Sequence, residues 1–266
     1  KGWWGPLFHS GGCLAETRCT TWCPNLPWSC YGTRWPKGLR PSIRAQARLL
    51  AGWLASEGLT FDLLIGGSLG GMVALELALI APRRFRALGV IGCGGKADAW
   101  LWGINAVQRA ILDDPSLTDE EAVALARRAA MLTFRTPEGL NRRFATGADV
   151  RGWLDHHGAT LAARFTRRSY RALLEAMDRH DLGWRRGGLR KALQGLEAPL
   201  HILGMRPDYL FPPASVEALV CEAQAVGRLG SLTWLEGVHG HDAFLIDLTA
   251  VACWLDRVRE ATCGRF

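Results

Sequence analysis

Short apolar runs alternate with helical stretches from about Leu39 to Gly95, and again from Ala198 to the end of the chain, as they do in a parallel α/β sheet. The clearest runs cover residues 61–65, 199–204 and 232–235, each with the length and apolarity of a buried strand. From about Lys96 to Glu197 such runs vanish and arginine-rich helical periodicity takes over. There Thr118, Asp119, Glu120 and Glu121 spell a helix start, with Thr118 as N-cap and Glu121 placed to return the capping-box bond. Val123, Leu125, Ala126, Ala129, Ala130 and Leu132 then recur on one side of that helix. Further helices are expected over residues 104–112, 161–179 and 188–196. The pattern predicts one α/β core built from residues 1–95 and 198–266, interrupted by a helical cap over residues 96–197.

Composition narrows the class. A chain of 266 residues that is 48% apolar can bury one large core. The most apolar stretch, residues 61–80, is broken by glycines and charge, so no bilayer-spanning helix and no membrane partner is expected. The eight cysteines, at 13, 19, 23, 30, 93, 221, 253 and 263, show no regular spacing. Cys19, Cys23 and Cys30 lack the paired Cys-x-x-Cys pattern, which argues against a metal and for a reduced, cytoplasmic protein. The net charge of +7 comes from arginines scattered in pairs over the predicted helices, without the aromatic-interleaved stripe of a nucleic-acid surface. No secretory signal is readable. The first residue is Lys1, not methionine, which leads us to expect a missing beginning.

The chemistry concentrates where the first run ends. Phe61-Asp62-Leu63-Leu64-Ile65 leads into Gly66-Gly67-Ser68-Leu69-Gly70-Gly71, and a strongly helical segment follows from Met72 to Ile80. Strand, glycine-bracketed serine and helix together form a nucleophile elbow, whose sharp turn exposes the serine while glycines allow strand and helix to approach closely. The bland alternative is a glycine-rich turn with a solvent-facing serine. A serine hydroxyl needs a base and a group that orients the base, and in this architecture they follow in the order serine, acid, histidine. Asp208 stands on the loop after the run at 199–204, where the acid belongs. After the run at 232–235 two histidines compete, His239 and His241, and His241 is the better placed. His156, His157 and His180 in the cap and His201 inside a strand are weaker candidates.

The segments Gly66-Gly67-Ser68-Leu69-Gly70-Gly71-Met72, Asp208-Tyr209-Leu210-Phe211-Pro212 and Gly240-His241-Asp242-Ala243-Phe244-Leu245 together resemble the homoserine O-acetyltransferase family. Similarity also runs through residues 25–32, Ser42-Ile43-Arg44, Gln108-Arg109-Ala110-Ile111, Ala176-Met177-Asp178-Arg179-His180-Asp181 and Arg186-Gly187-Gly188. The resemblance implies an α/β-hydrolase fold with an inserted helical cap. It further implies acyl transfer from acetyl-CoA to the hydroxyl of L-homoserine through an acyl-Ser68, with His241 as base and acid, Asp208 holding its tautomer, Leu69 giving one oxyanion N–H, and no bound cofactor. Asp242 would hold the substrate amine and Arg127 its carboxylate, and the cap would build a homodimer. Asp242 as a simple helix cap and Arg127 as a surface arginine beside Arg128 stay open as alternatives. So do serine as acceptor, succinyl-CoA as donor, an esterase, and an inactive relative. The chain departs from the family in four places. The second oxyanion loop would lie before Lys1, the segment between Pro36 and Ser42 is short, Ala45 replaces an acidic residue, and Phe134 replaces a tyrosine expected opposite Arg127.

Overall fold

A computed structural model describes residues 42–263; the features noted above at residues 25–32 and 36–41, and at Cys13, Cys19, Cys23 and Cys30, lie outside the described residues. The described core is a sheet of β1 (Phe61–Gly67), β2 (Phe85–Ile91), β3 (Leu200–Arg206) and β4 (Leu229–Glu236), paired in that order and parallel throughout. Three of these contain the runs read from sequence. Strand β2 was not singled out, because Arg83, Arg84 and Arg86 crowd its start and Gly89 interrupts it. The structure accounts for Gly89, where a Cβ would come within 3.0 Å of the Trp254 ring.

Period-two alternation sends Leu88, Val90, Leu200 and Ile202 to one face of the sheet. There they join a core with Ile43, Ala47 and Leu54 of α1 (Ile43–Ser56), Met72 and Leu75 of α2 (Leu69–Ile80) and Leu219 of a later helix. Ile91, Leu203 and Met205 face the other way, against Trp254 and Val258. A sheet covered on both faces has no need of polar residues along its strands, which is why β3 reads as a nearly unbroken apolar run.

Between β2 and β3 lie α3 (Ala99–Leu112), α4 (Asp119–Phe134), α5 (Pro137–Arg143), α6 (Gly147–Ala162), α7 (Arg167–Asp178) and α8 (Leu189–Gln194). The capping box at Thr118 forms as read, and a second one forms at Thr146 with Asp149. The helix expected over residues 161–179 is instead two helices. Thr166 breaks it by accepting from the Ser169 amide as the N-cap of α7, a role that short hydroxyl side chains fill better than helix interiors. Leu112, Ala122, Val123, Ala126, Tyr170 and Leu174 give these helices an apolar cluster separate from that of the sheet. After β3 come α9 (Pro213–Ala225), then β4, α10 (Ala243–Ile246) and α11 (Leu248–Cys263), which carries Trp254.

One ionic knot ties the two parts together. Glu76 of α2, almost fully buried, accepts from Arg44 Nε at 3.0 and 3.1 Å and from Arg186 at 2.7 Å. Arg44 also donates to the carbonyl oxygens of Trp184 and Asp181. Removing one partner of a buried ion group typically costs about 3–5 kcal/mol, so α1, α2 and the turn before α8 are bound as a unit. Among the described residues no helix is long and apolar enough to cross a membrane.

Candidate active site

The site is built at the carboxyl ends of the strands. Ser68 follows β1 directly and adopts φ 55° and ψ −124°, a conformation that costs a non-glycine residue roughly 1–3 kcal/mol. The surroundings that hold it there are glycines with distinct tasks. A Cβ at Gly66 would sit 2.1 Å from the Gly70 carbonyl oxygen, and one at Gly71 would meet Cys93 Sγ at 2.6 Å, whereas Gly70 has open space around it. Close strand–helix approach thus depends on Gly66 and Gly71, not on both glycines flanking the serine. The Ser68 amide donates to the Ile91 carbonyl at 2.7 Å, tying the elbow to β2. Leu69 begins α2, whose first backbone bonds run from the Gly71 and Met72 amides to the Ser68 carbonyl.

Asp208 follows β3 on a buried loop. Its Oδ1 accepts from the Leu210 and Phe211 amides at 2.8 and 2.9 Å, and its Oδ2 meets His241 Nδ1 at 2.7 Å. His241 lies in a short 3-10 turn after β4, with Nε2 2.9 Å from Ser68 Oγ. An ionised aspartate only accepts, so Nδ1 carries the proton and Nε2 is left as the acceptor of the serine hydroxyl. Phe134, Phe211 and Phe244 surround the imidazole at ring separations of 6.0, 5.5 and 5.7 Å. Gly92, at φ +56°, makes room beneath it, since a Cβ there would come within 3.2 Å of His241 Cε1. His239 ends up as the residue before the turn, and His201 pairs with Ser231 inside the sheet at 2.9 Å. His180 is buried near the sheet–cap seam, where its Nε2 meets the Gly94 carbonyl and desolvation pulls its pKa down to about 4. Ser68, Asp208 and His241 are therefore brought together, and the rival histidines are not.

The cap forms the opposite wall. Asp242 makes no side-chain cap bond to α10; its Oδ2 accepts from Arg135 Nε at 2.9 Å. Burial pushes the Asp242 carboxyl up, against the lowering pull of Arg135, His241 and Arg127. Arg127 is not a surface side chain. Its guanidinium lies 4.6 Å over the Phe134 ring, with the Tyr170 hydroxyl as an electrostatic neighbour, while Arg128 turns outward to Asp155. Tyr170 in turn donates to Gln108 Oε1 at 2.5 Å, and burial raises its hydroxyl to about 12. His157 is lowered to about 4, first by burial and then by Arg127, His156, Arg135 and Arg143. A positive pole on the cap thus faces a carboxylate and a serine–histidine–aspartate array on the sheet. Sequence reading missed Arg135 and Tyr170. The Thr136-Pro137 pair marks a helix start, so the element was readable, but nothing in the sequence distinguishes Arg135 from its many fellow arginines.

A parallel sheet carrying a strained serine after one strand, an aspartate after a later one and a histidine after the last defines an α/β-hydrolase-fold enzyme. Among solved structures, esterase E22 matches with a TM-score of 0.74 at 18% identity, covering 87% of this chain and 68% of its own. The homoserine O-acetyltransferase of Staphylococcus aureus matches with a TM-score of 0.68 at 25% identity, covering 84% of this chain and 66% of its own. No family model matches the chain. Among curated proteins, a homoserine O-acetyltransferase of Thermus thermophilus is 36% identical over 276 residues, spanning 96% of this chain and 71% of the relative. That of Nostoc punctiforme is 33% identical over 287 residues, spanning 94% and 79%. The chain belongs to the homoserine O-acetyltransferase family.

Proposed function

We propose that this protein moves an acetyl group from acetyl-CoA to the hydroxyl of L-homoserine by way of an acyl-Ser68. The carrying observation is the continuous bond line from Asp208 through His241 to Ser68 in a chain of this family. Ser68 Oγ attacks the thioester carbonyl as His241 Nε2 takes its proton, and the developing oxyanion is met by the Leu69 amide at the start of α2. Collapse expels CoA, which receives the proton from His241. The homoserine hydroxyl then attacks the acyl-enzyme, giving its proton to His241, which passes it to the departing Ser68 oxygen. Asp208 holds the tautomer and stabilises the imidazolium between these transfers.

The wall opposite suits an amino-acid acceptor. Asp242 offers a carboxylate to the ammonium group beside His241, and Arg127, held by Phe134 and Tyr170, offers a guanidinium to the carboxylate. The same reading takes the protein as a homodimer through the cap, for which exposed Leu125 and Leu132 of α4 offer apolar surface.

The test is release of CoA thiol from acetyl-CoA with and without L-homoserine. Steady release that needs both homoserine and Ser68 is expected, and Ser68→Ala lowers it at least about a thousandfold. Steady release that ignores homoserine would make the protein a hydrolase instead.

A further inference from the structure

Arg135 sits where the cap touches the histidine turn. It follows α4 in an extended conformation, φ −123° and ψ 158°, so the chain turns away from the helix at this residue. On one side its backbone is pressed against Gly240, where a Cβ would come within 3.1 Å of the Phe134 carbonyl oxygen and of the Arg135 carbonyl carbon. On the other side Thr136, buried, donates its hydroxyl to the Val238 carbonyl at 2.5 Å and accepts from the Gly139 amide at 2.8 Å. A Cβ at Gly139 would lie 2.1 Å from that same Val238 oxygen. The segment carrying Arg135 therefore has little freedom relative to the loop carrying His241. From this fixed base Nε reaches Asp242 Oδ2, and both side chains are only 15% exposed.

We propose that Arg135 is a positioning residue for the acceptor: by holding one oxygen of Asp242 it fixes the carboxylate and leaves the other oxygen aimed at the substrate ammonium. The inference rests on the reading of Asp242 as the ammonium site. Two effects of Arg135 oppose each other. Its charge competes with the ammonium for Asp242, while its directional bond removes the carboxylate's rotational freedom and opposes the protonation that burial favours. Orientation wins because Arg135 engages a single oxygen through Nε, from a backbone packed against the His241 turn and with both side chains largely buried. A lysine keeps the charge but lacks the planar fork.

Ping-pong turnover separates the two halves of the reaction, since kcat/KM for acetyl-CoA reports acylation and kcat/KM for homoserine reports transfer. Arg135→Gln is expected to lower kcat/KM for homoserine at least about tenfold and leave that for acetyl-CoA within about threefold, with Arg135→Lys falling between. In the Asp242→Asn background the further loss from Arg135→Gln should shrink to less than about twofold, because the residue it acts through is gone. Equal loss in both halves would show that Arg135 merely supports the His241 turn and would overturn the proposal. So would losses from the two substitutions that multiply independently. If Asp242→Asn impairs homoserine transfer but Arg135→Gln does not, this inference alone fails; if Asp242→Asn changes nothing, the ammonium reading beneath it fails as well.

Discussion

The two walls of the site are held by different means. On the sheet side, the groups that would perform chemistry are fixed by backbone: Ser68 by the strand–helix turn and its bond to Ile91, Asp208 by two amides, His241 by its short turn after β4 with Gly92 leaving room beneath the ring. On the cap side, the groups that would recognise the acceptor are fixed by other side chains. Arg127 rests on Phe134 and Tyr170, Tyr170 on Gln108, and Gln108 on Asn105, which bonds Asp178, itself paired with Arg109. Backbone placement tolerates almost no change without moving the reacting atoms. A side-chain network can be rebuilt one member at a time, so specificity can vary over a constant reaction centre.

The sharpest way to break this comparison is at the elbow, where one glycine lies at the end of the strand against the helix and another opens the helix with free space around it. Gly66→Ala places a Cβ 2.1 Å from the Gly70 carbonyl oxygen and is expected to cost about 3 kcal/mol of stability and most of the activity. Gly70→Ala meets nothing within 4 Å and lies in the first turn of α2, so its effect should stay within about 1 kcal/mol and favour the helix. Urea unfolding midpoints of the two variants decide the matter, and equal losses would show that the elbow is not governed by this approach.

These glycines also show how much could be read from sequence. The strand–serine–helix order, the position of Asp208 and the preference for His241 over His239 follow from local pattern, because backbone-placed groups leave their mark in adjacent residues. Core strands β1, β3 and β4 were legible for the same reason. Strand β2 was not, since the feature that disguises it, Gly89, answers to Trp254 more than 160 residues away and no local pattern carries that information. Arg135 and Tyr170 escaped for a related reason. Their partners, Asp242 and Gln108, come from other elements, and an arginine among many looks the same whether it faces solvent or a carboxylate. Segments picked out by resemblance, such as Ser42-Ile43-Arg44 and Arg186-Gly187-Gly188, prove to be the two arms around Glu76, a structural knot between the walls.

The seam between the walls should be sensitive to acid. His180 bonds the Gly94 carbonyl from the end of the cap, with Glu76, Asp181 and Arg44 as its charged neighbours. Its folded pKa of about 4 lies below the ordinary value of 6.5, so on acidification the unfolded chain takes up the proton first. Stability is complete above about pH 6.5 and falls as pH drops toward 4, by on the order of 2–3 kcal/mol from this group. Asn at this position cannot gain a charge. The difference in unfolding free energy between wild type and His180→Asn, followed from pH 7 to pH 4, should therefore narrow; a constant difference would mean that His180 is protonated equally in both states.

The smallest and most discriminating test lies within the cap network. Tyr170→Phe keeps the ring in its apolar cluster with Leu112, Val123 and Leu174 but deletes the hydroxyl that donates to Gln108 and neighbours Arg127. Leaving the buried Gln108 oxygen short of a donor should cost about 1–2 kcal/mol of stability. Arg127 loses one of its two supports and keeps Phe134, so it should not be displaced altogether. Acceptor recognition then weakens only partly: kcat/KM for homoserine is expected to fall about three- to tenfold, and that for acetyl-CoA to stay unchanged. An equal fall in both would mean that the cap and the serine–histidine–aspartate array move as one body. The division between backbone-fixed chemistry and side-chain-fixed recognition would then dissolve, because strain in the cap would reach Ser68 through the contacts of Phe134 with His241.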